Sequence, residues 1–222
     1  MTELSDPRPD TSDMAPVHQV FRSSFGSAPA YVASTCGDTA RRDLVADYYG
    51  NVLAFLEVHH EGEEKLVFPI LRQRAPGCGA LIDKMAEQHV EAMALLDGAK
   101  AAVEVWRGAP ADSVDRSAEE AAHALTVLGD ALRLHLDEEE ADIVPLAADY
   151  LSVEEWGALP GHGMANFTGD KVWLILGLIR ENFSAAQRQA MLGAMPPPAR
   201  AMWETVGESA YASLIAQVRQ AP

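Results

Sequence analysis

The chain has 222 residues, 33 of them acidic and 17 lysine or arginine, for a formal net charge of −16. That charge repels a phosphate backbone, so neither nucleic acid nor an anionic membrane is an expected partner, while small neutral ligands are not excluded. A hydrophobic content of 48% is ample for the core of one domain with additions, and Cys36 and Cys78 are too few and too far apart for a disulfide framework or a thiolate metal site.

Residues 1–12 are polar with two prolines and are expected to be disordered. Asp13 is placed to cap a first helix through His18, Phe21 and Phe25, with Pro16 in its opening turn. Gly26 and Pro29 weaken its end. A second helix starts at Asp38 or Thr39 and runs to about 74, with an inward stripe of Tyr48, Val52, Phe55, His59, Glu63, Leu66 and Ile70. A third, over about 79–106, carries Ile82, Met85, His89, Met93 and Leu96 on one face. A fourth, over about 117–150, carries Leu128, Ala131, His135, Glu139 and Ile143.

Helix formers dominate, and stretches of alternating polarity are absent, so the expected fold is all-α: an up-down four-helix bundle over 13–150. Residues 151–222 read as a helical C-terminal extension with pieces at 153–159, 171–182 and 185–194, then a last helix over about 200–220 after Pro196, Pro197 and Pro198. The plain reading of the extension is a cover for one end of the bundle or an oligomer interface, as in a homodimer; a lid or regulatory role is the sharper alternative. The longest apolar run, 172–179, is far short of the roughly 20 residues a membrane helix needs, and residues 1–10 hold no signal-peptide core, so the expected location is cytoplasmic.

One pattern occurs twice. His59 is followed four residues on by Glu63 and Glu64 and then by Pro69; His135 is followed at the same spacing by Glu139 and Glu140 and then by Pro145. The flanks match as well, Leu56 with Leu132, Val58 with Leu134, and Val67, Phe68 and Pro69 with Ile143, Val144 and Pro145. Residues four apart share a helix face, so each copy sends an imidazole and a carboxylate to one point. Together with His18 and His89, the candidate ligand set is His18, His59, Glu63, His89, His135 and Glu139. Burying these groups unpaired would cost several kcal/mol each, so a bound cation is the expected explanation. Imidazole mixed with carboxylate suits iron, zinc or manganese, and carboxylates able to bridge favour two metals.

These motifs resemble the hemerythrin family of HHE cation-binding domains over about 13–150. The first-helix motif is Val17, His18, Gln19, Val20, Phe21 and Arg22; the paired motifs span 56–69 and 134–145; Glu87, Gln88 and His89 resemble the third-helix histidine. The resemblance implies a four-helix bundle holding two non-haem iron ions, oxo- or hydroxo-bridged, that bind or react with a small gaseous or peroxide ligand. Two departures matter. Oxygen carriers of the family place a second histidine where this chain has Met93, and end the last motif with an aspartate at a spacing of five where Glu139 sits at four. The chain is therefore closer to the six-ligand members, which include iron sensors and proteins reactive toward peroxide or nitric oxide.

A ferritin-like arrangement has partial counterparts in Glu57 with His60 and Glu120 with His123. It fails on ligand supply: the first helix has no glutamate, and His123 lies about 120° round its helix from His135. His60 points about 100° from His59 and reads as a flanking group, or one that supports a ligand from behind, rather than as a ligand. His123 reads as a surface or packing histidine, and His162 as a loop histidine that would reach the site only if its loop folded back. Three functions follow as expectations: a di-iron enzyme consuming hydrogen peroxide or nitric oxide, a module that senses or binds oxygen or iron without turnover, and a metal-free partner-binding bundle.

Overall fold

The computed structural model describes residues 7–220, and residues 1–6, part of the segment expected to be disordered, lie outside the described residues. The helices are α1 (Met14–Gly26), α2 (Ala28–Ala33), α3 (Thr39–Gly62), α4 (Phe68–Arg74), α5 (Gly79–Gly108), α6 (Val114–Tyr150), α7 (Val153–Ala165), α8 (Asp170–Asn182), α9 (Ala185–Ala194), α10 (Pro197–Met202) and α11 (Glu208–Arg219). There is no strand among the described residues, and the fold is an all-α bundle. None of these helices is long and apolar enough to cross a membrane.

The bundle is built around α6, which packs along α5 and α1, while α3 packs along α5. Asp38 caps α3 by accepting the Arg41 backbone N–H at 3.0 Å. Gly37, at φ 73°, makes the turn before it. Tyr48 and Tyr49 join α3 to α1 through the Ser24 hydroxyl at 2.7 Å and the Ser24 carbonyl at 3.1 Å.

Asp13 does not cap α1 with its side chain. Its carboxylate accepts the indole N–H of Trp156 at 3.1 Å, so the first helix is tied to α7. Burial raises the Asp13 pKa, and the indole hydrogen bond works in the opposite direction.

The second expected helix is also changed in a way that matters. Between α3 and α4 the chain makes one π turn, Glu63–Val67. Pro69 has no N–H to give, and its ring excludes the carbonyl four residues earlier, so the helix widens there instead of continuing as α. The wider turn absorbs one extra residue. Downstream of Glu63 the inward positions therefore move by one: Val67, Phe68 and Leu71 are buried, and Leu66 and Ile70 are only half-buried. On α6 the inward position expected at Ala131 belongs to Leu132, which is buried while Ala131 is exposed.

Residues 160–163 are helical rather than a loop. Ser152 and Glu155 form a capping box that launches α7, and packing against α3 and the π turn carries it past Pro160 to Ala165. Gly62 permits that approach, since a Cβ there would lie 3.2 Å from the His162 ring and 3.3 Å from Leu159. The last expected helix is likewise divided by a π turn, Trp203–Gly207, between α10 and α11. Arg41 fastens this region to α3 by donating to the carbonyls of Gln217 and Gln220 at 2.8 and 2.6 Å, beside the C-terminal end of α11.

Candidate metal centre

Two apolar clusters fill the bundle. The larger holds Phe21, Phe55, Leu96, Leu128 and Leu132, and the smaller Val67, Phe68, Ile82, Met85 and Ile143. The periodicity that builds both stripes places polar residues between them, because His18, Glu63, His89, His135 and Glu139 fall on the inward faces of their helices. None of the five is more than 3% exposed. The His59 side chain is 8% exposed.

The six residues named from sequence meet in this layer. His59 Nε2 lies 3.2 Å from Glu63 Oε1, and His89 Nε2 lies 3.5 Å from Glu63 Oε2. On the other side, His18 Nε2 and His135 Nε2 lie 3.4 and 3.7 Å from Glu139 Oε2. Glu63 thus joins α3 to α5, and Glu139 joins α6 to α1. One ligand atom from each of His18, His59, Glu63 and Glu139 fits within 4.8 Å of the others, and the same holds for His60, His89 and His135.

Tautomer decides what these atoms offer. His18 Nδ1 is 2.8 Å from Glu140 Oε1, and His89 Nδ1 is 3.1 Å from Glu64 Oε1. An ionised carboxylate only accepts, so each Nδ1 carries the proton and each Nε2 turns a lone pair inward. His135 Nδ1 is 3.1 Å from Gln88 Oε1, whose Nε2 donates to Glu138 at 2.7 Å, and the orientation of that amide imposes the same tautomer.

The Nε2 lone pairs of His18, His89 and His135 therefore converge on the two inner carboxylates. The Nε2 atoms of His18, His59, His89 and His135, both Glu63 oxygens and Glu139 Oε2 are all buried without a hydrogen-bond partner. Facing acceptors of this kind require a proton or a cation, and a mixed nitrogen and oxygen set suits a divalent transition metal. Burial, reinforced by the Glu139 charge, pushes the Glu63 pKa well above the carboxylate range. Burial also pulls His59 well below the usual histidine value and takes His89 to about 3, which keeps the imidazoles neutral and able to ligate.

Sequence reasoning left two features unassigned. The second glutamate of each copy, Glu64 or Glu140, orients a histidine on a different helix; the doubled glutamate repeated in both copies was the available signal. The other is how close His60 comes to the ligands: it is 2% exposed and stacks on His89 at 4.2 Å and 14°. Its signal was Leu136, the apolar residue at the same place in the second copy, which marks the position as inward. His123 is exposed on α6. His162 lies outside the cluster, 3.5 Å from Glu61. Tyr48 belongs to the core, and burial pushes its pKa up to about 12.

A family model described as the hemerythrin HHE cation binding domain matches residues 11–147, more than half of the chain and every residue of the cluster. Comparison with curated proteins and with solved structures gave no match.

Proposed function

The chain belongs to the hemerythrin HHE cation-binding family, and from that premise we propose that the cluster holds two non-haem iron ions and binds or reacts with dioxygen, hydrogen peroxide or nitric oxide. The observation carrying this reading is the convergence of four inward Nε2 atoms on two buried carboxylates, all without a hydrogen-bond partner in the protein. His18 and His59 would hold one ion, His89 and His135 the other, with Glu63 and Glu139 between them. Iron held there would supply redox chemistry toward a small ligand.

The side chains do the rest. Glu140, Glu64 and Gln88 fix the tautomer and orientation of His18, His89 and His135. Phe21 lies beside the His59 ring at 5.3 Å and Phe68 stacks on His89 at 5.2 Å, which keeps water away and lowers the local dielectric. A site whose members are almost wholly buried favours ligands of about two heavy atoms over larger substrates.

Metal analysis of protein purified under reducing conditions, with absorbance recorded before and after peroxide or nitric oxide, tests the reading. About two irons per chain with consumption of the added oxidant is the result expected. Iron without consumption would favour an alternative, an oxygen- or iron-sensing module. That alternative has one observation behind it: α7 of the extension lies directly on the π turn beginning at Glu63, so changes at the metals have a short path to the extension. Absence of metal would refute both.

A further inference from the structure

His60 is the one imidazole in the polar layer with no assigned work. Both ring nitrogens are buried and neither has a hydrogen-bond partner. A neutral imidazole has one donor and one acceptor, and leaving either buried and unmet is destabilising. Packing alone does not call for that, because the second copy fills the same place with Leu136, which is also fully buried. Something other than shape must favour the ring nitrogens of His60.

The neighbours say what that is. His60 stacks on His89 at 4.2 Å and meets His135 edge-on at 5.2 Å, and those two rings are themselves 4.9 Å apart. One nitrogen from each of the three fits within 4.8 Å of the other two. His18 and His59 form a separate pair 5.2 Å apart on the other side of the carboxylates.

We propose that His60 is a metal ligand, joining His89 and His135 on one ion, so that the centre is held by five imidazoles and two carboxylates. The two positions are then unequal: one takes three imidazoles, the other takes His18 and His59. The histidine expected one turn after His89 is replaced in space by a residue from α3, which leaves Met93 free to pack in the apolar core. The inference rests on the dimetal reading of the cluster and adds to it a residue and an asymmetry.

Cobalt(II), added to the full chain without oxygen, gives a direct count. In the proton spectrum of the loaded protein, each ligating imidazole contributes one exchangeable, strongly shifted ring N–H. Five such signals with two bound cobalt ions are expected. His60→Leu, which copies Leu136, should remove one signal and weaken one of the two binding steps by more than the about 10- to 100-fold that loss of an outer partner costs, while sparing the other. Four signals in the wild-type chain with both ions bound would overturn the assignment of His60 and leave the dimetal reading standing. So would unchanged affinities in His60→Leu. Failure of the wild-type chain to bind cobalt or iron at all would bring down the underlying reading as well. The wild-type count decides the matter even if the variant does not fold.

Discussion

Glu140, on α6, accepts the Nδ1–H of His18, on α1, at 2.8 Å, and the same Oε1 accepts from Arg22 at 2.7 Å. Glu64 holds His89 in the same way at 3.1 Å. Each copy of the repeated pattern thus orients, through its outer glutamate, a histidine on a helix other than its own. The shared Arg22 and the His18 proton pull the Glu140 pKa down, with the His18 hydrogen bond the largest influence. At neutral pH the residue is a full anion facing the ring.

Glu140→Ala should weaken metal binding about 10- to 100-fold without abolishing it, because the ligand remains and only its orientation and basicity are lost. Titration with iron(II) or cobalt(II) measures this. Affinity equal to that of the wild-type chain would mean that the outer carboxylates serve packing alone.

Loss of an inner group should be more severe. Glu63→Ala and His135→Ala are each expected to remove at least one metal per chain, whereas His123→Ala, on the exposed face of α6, should bind the wild-type complement. Metal content after gel filtration is the measurement, and full content in both site variants would contradict the assigned ligands.

Close helix approach gives a stability prediction. A Cβ at Gly129 would lie 2.7 Å from Cβ of Phe25, an atom one bond from the backbone that cannot swing aside. Gly129→Ala should therefore destabilise the fold, since overpacking costs about 1–3 kcal/mol and the better helix propensity of alanine returns only about 1 kcal/mol. Urea unfolding would show a lower midpoint, and a raised midpoint would mean that α1 and α6 can separate there at little cost.

The Glu155 carboxylate carries a pH signature. The Arg74 guanidinium at 2.7 Å and the Ser152 N–H lower its pKa to about 2, against 4.5 in the ordinary state. Since the folded value is depressed, the stabilisation is complete above about 4.5 and disappears as pH falls through about 2. Glu155→Gln should melt below the wild-type chain at pH 7 by a small margin, the pair being partly exposed, and the margin should close toward pH 2. A margin that stayed constant across that range would assign the effect to the capping hydrogen bond rather than to charge.

The helices, the duplication and the six candidate ligands were legible in the chain because they depend on local geometry. A residue and its neighbour four places on share a face whatever surrounds the helix, so His59 with Glu63, and His135 with Glu139, declare their common direction. The apolar stripes around His18 and His89 do the same for single residues. Leu136 even marked the His60 position as inward, although reading that required comparing one copy with the other.

What depends on distances between helices, or on a change of register, was decided only in three dimensions. The partners of Glu64 and Glu140 lie on other helices, and no spacing along the chain relates Glu140 to His18. Asp13 is drawn from capping to Trp156 by the docking of α7. The π turn before Pro69 rotates everything after it by one residue and buries Leu71 in place of Ile70. Helical periodicity extrapolates only while each residue adds the same rotation, and one widened turn breaks that rule.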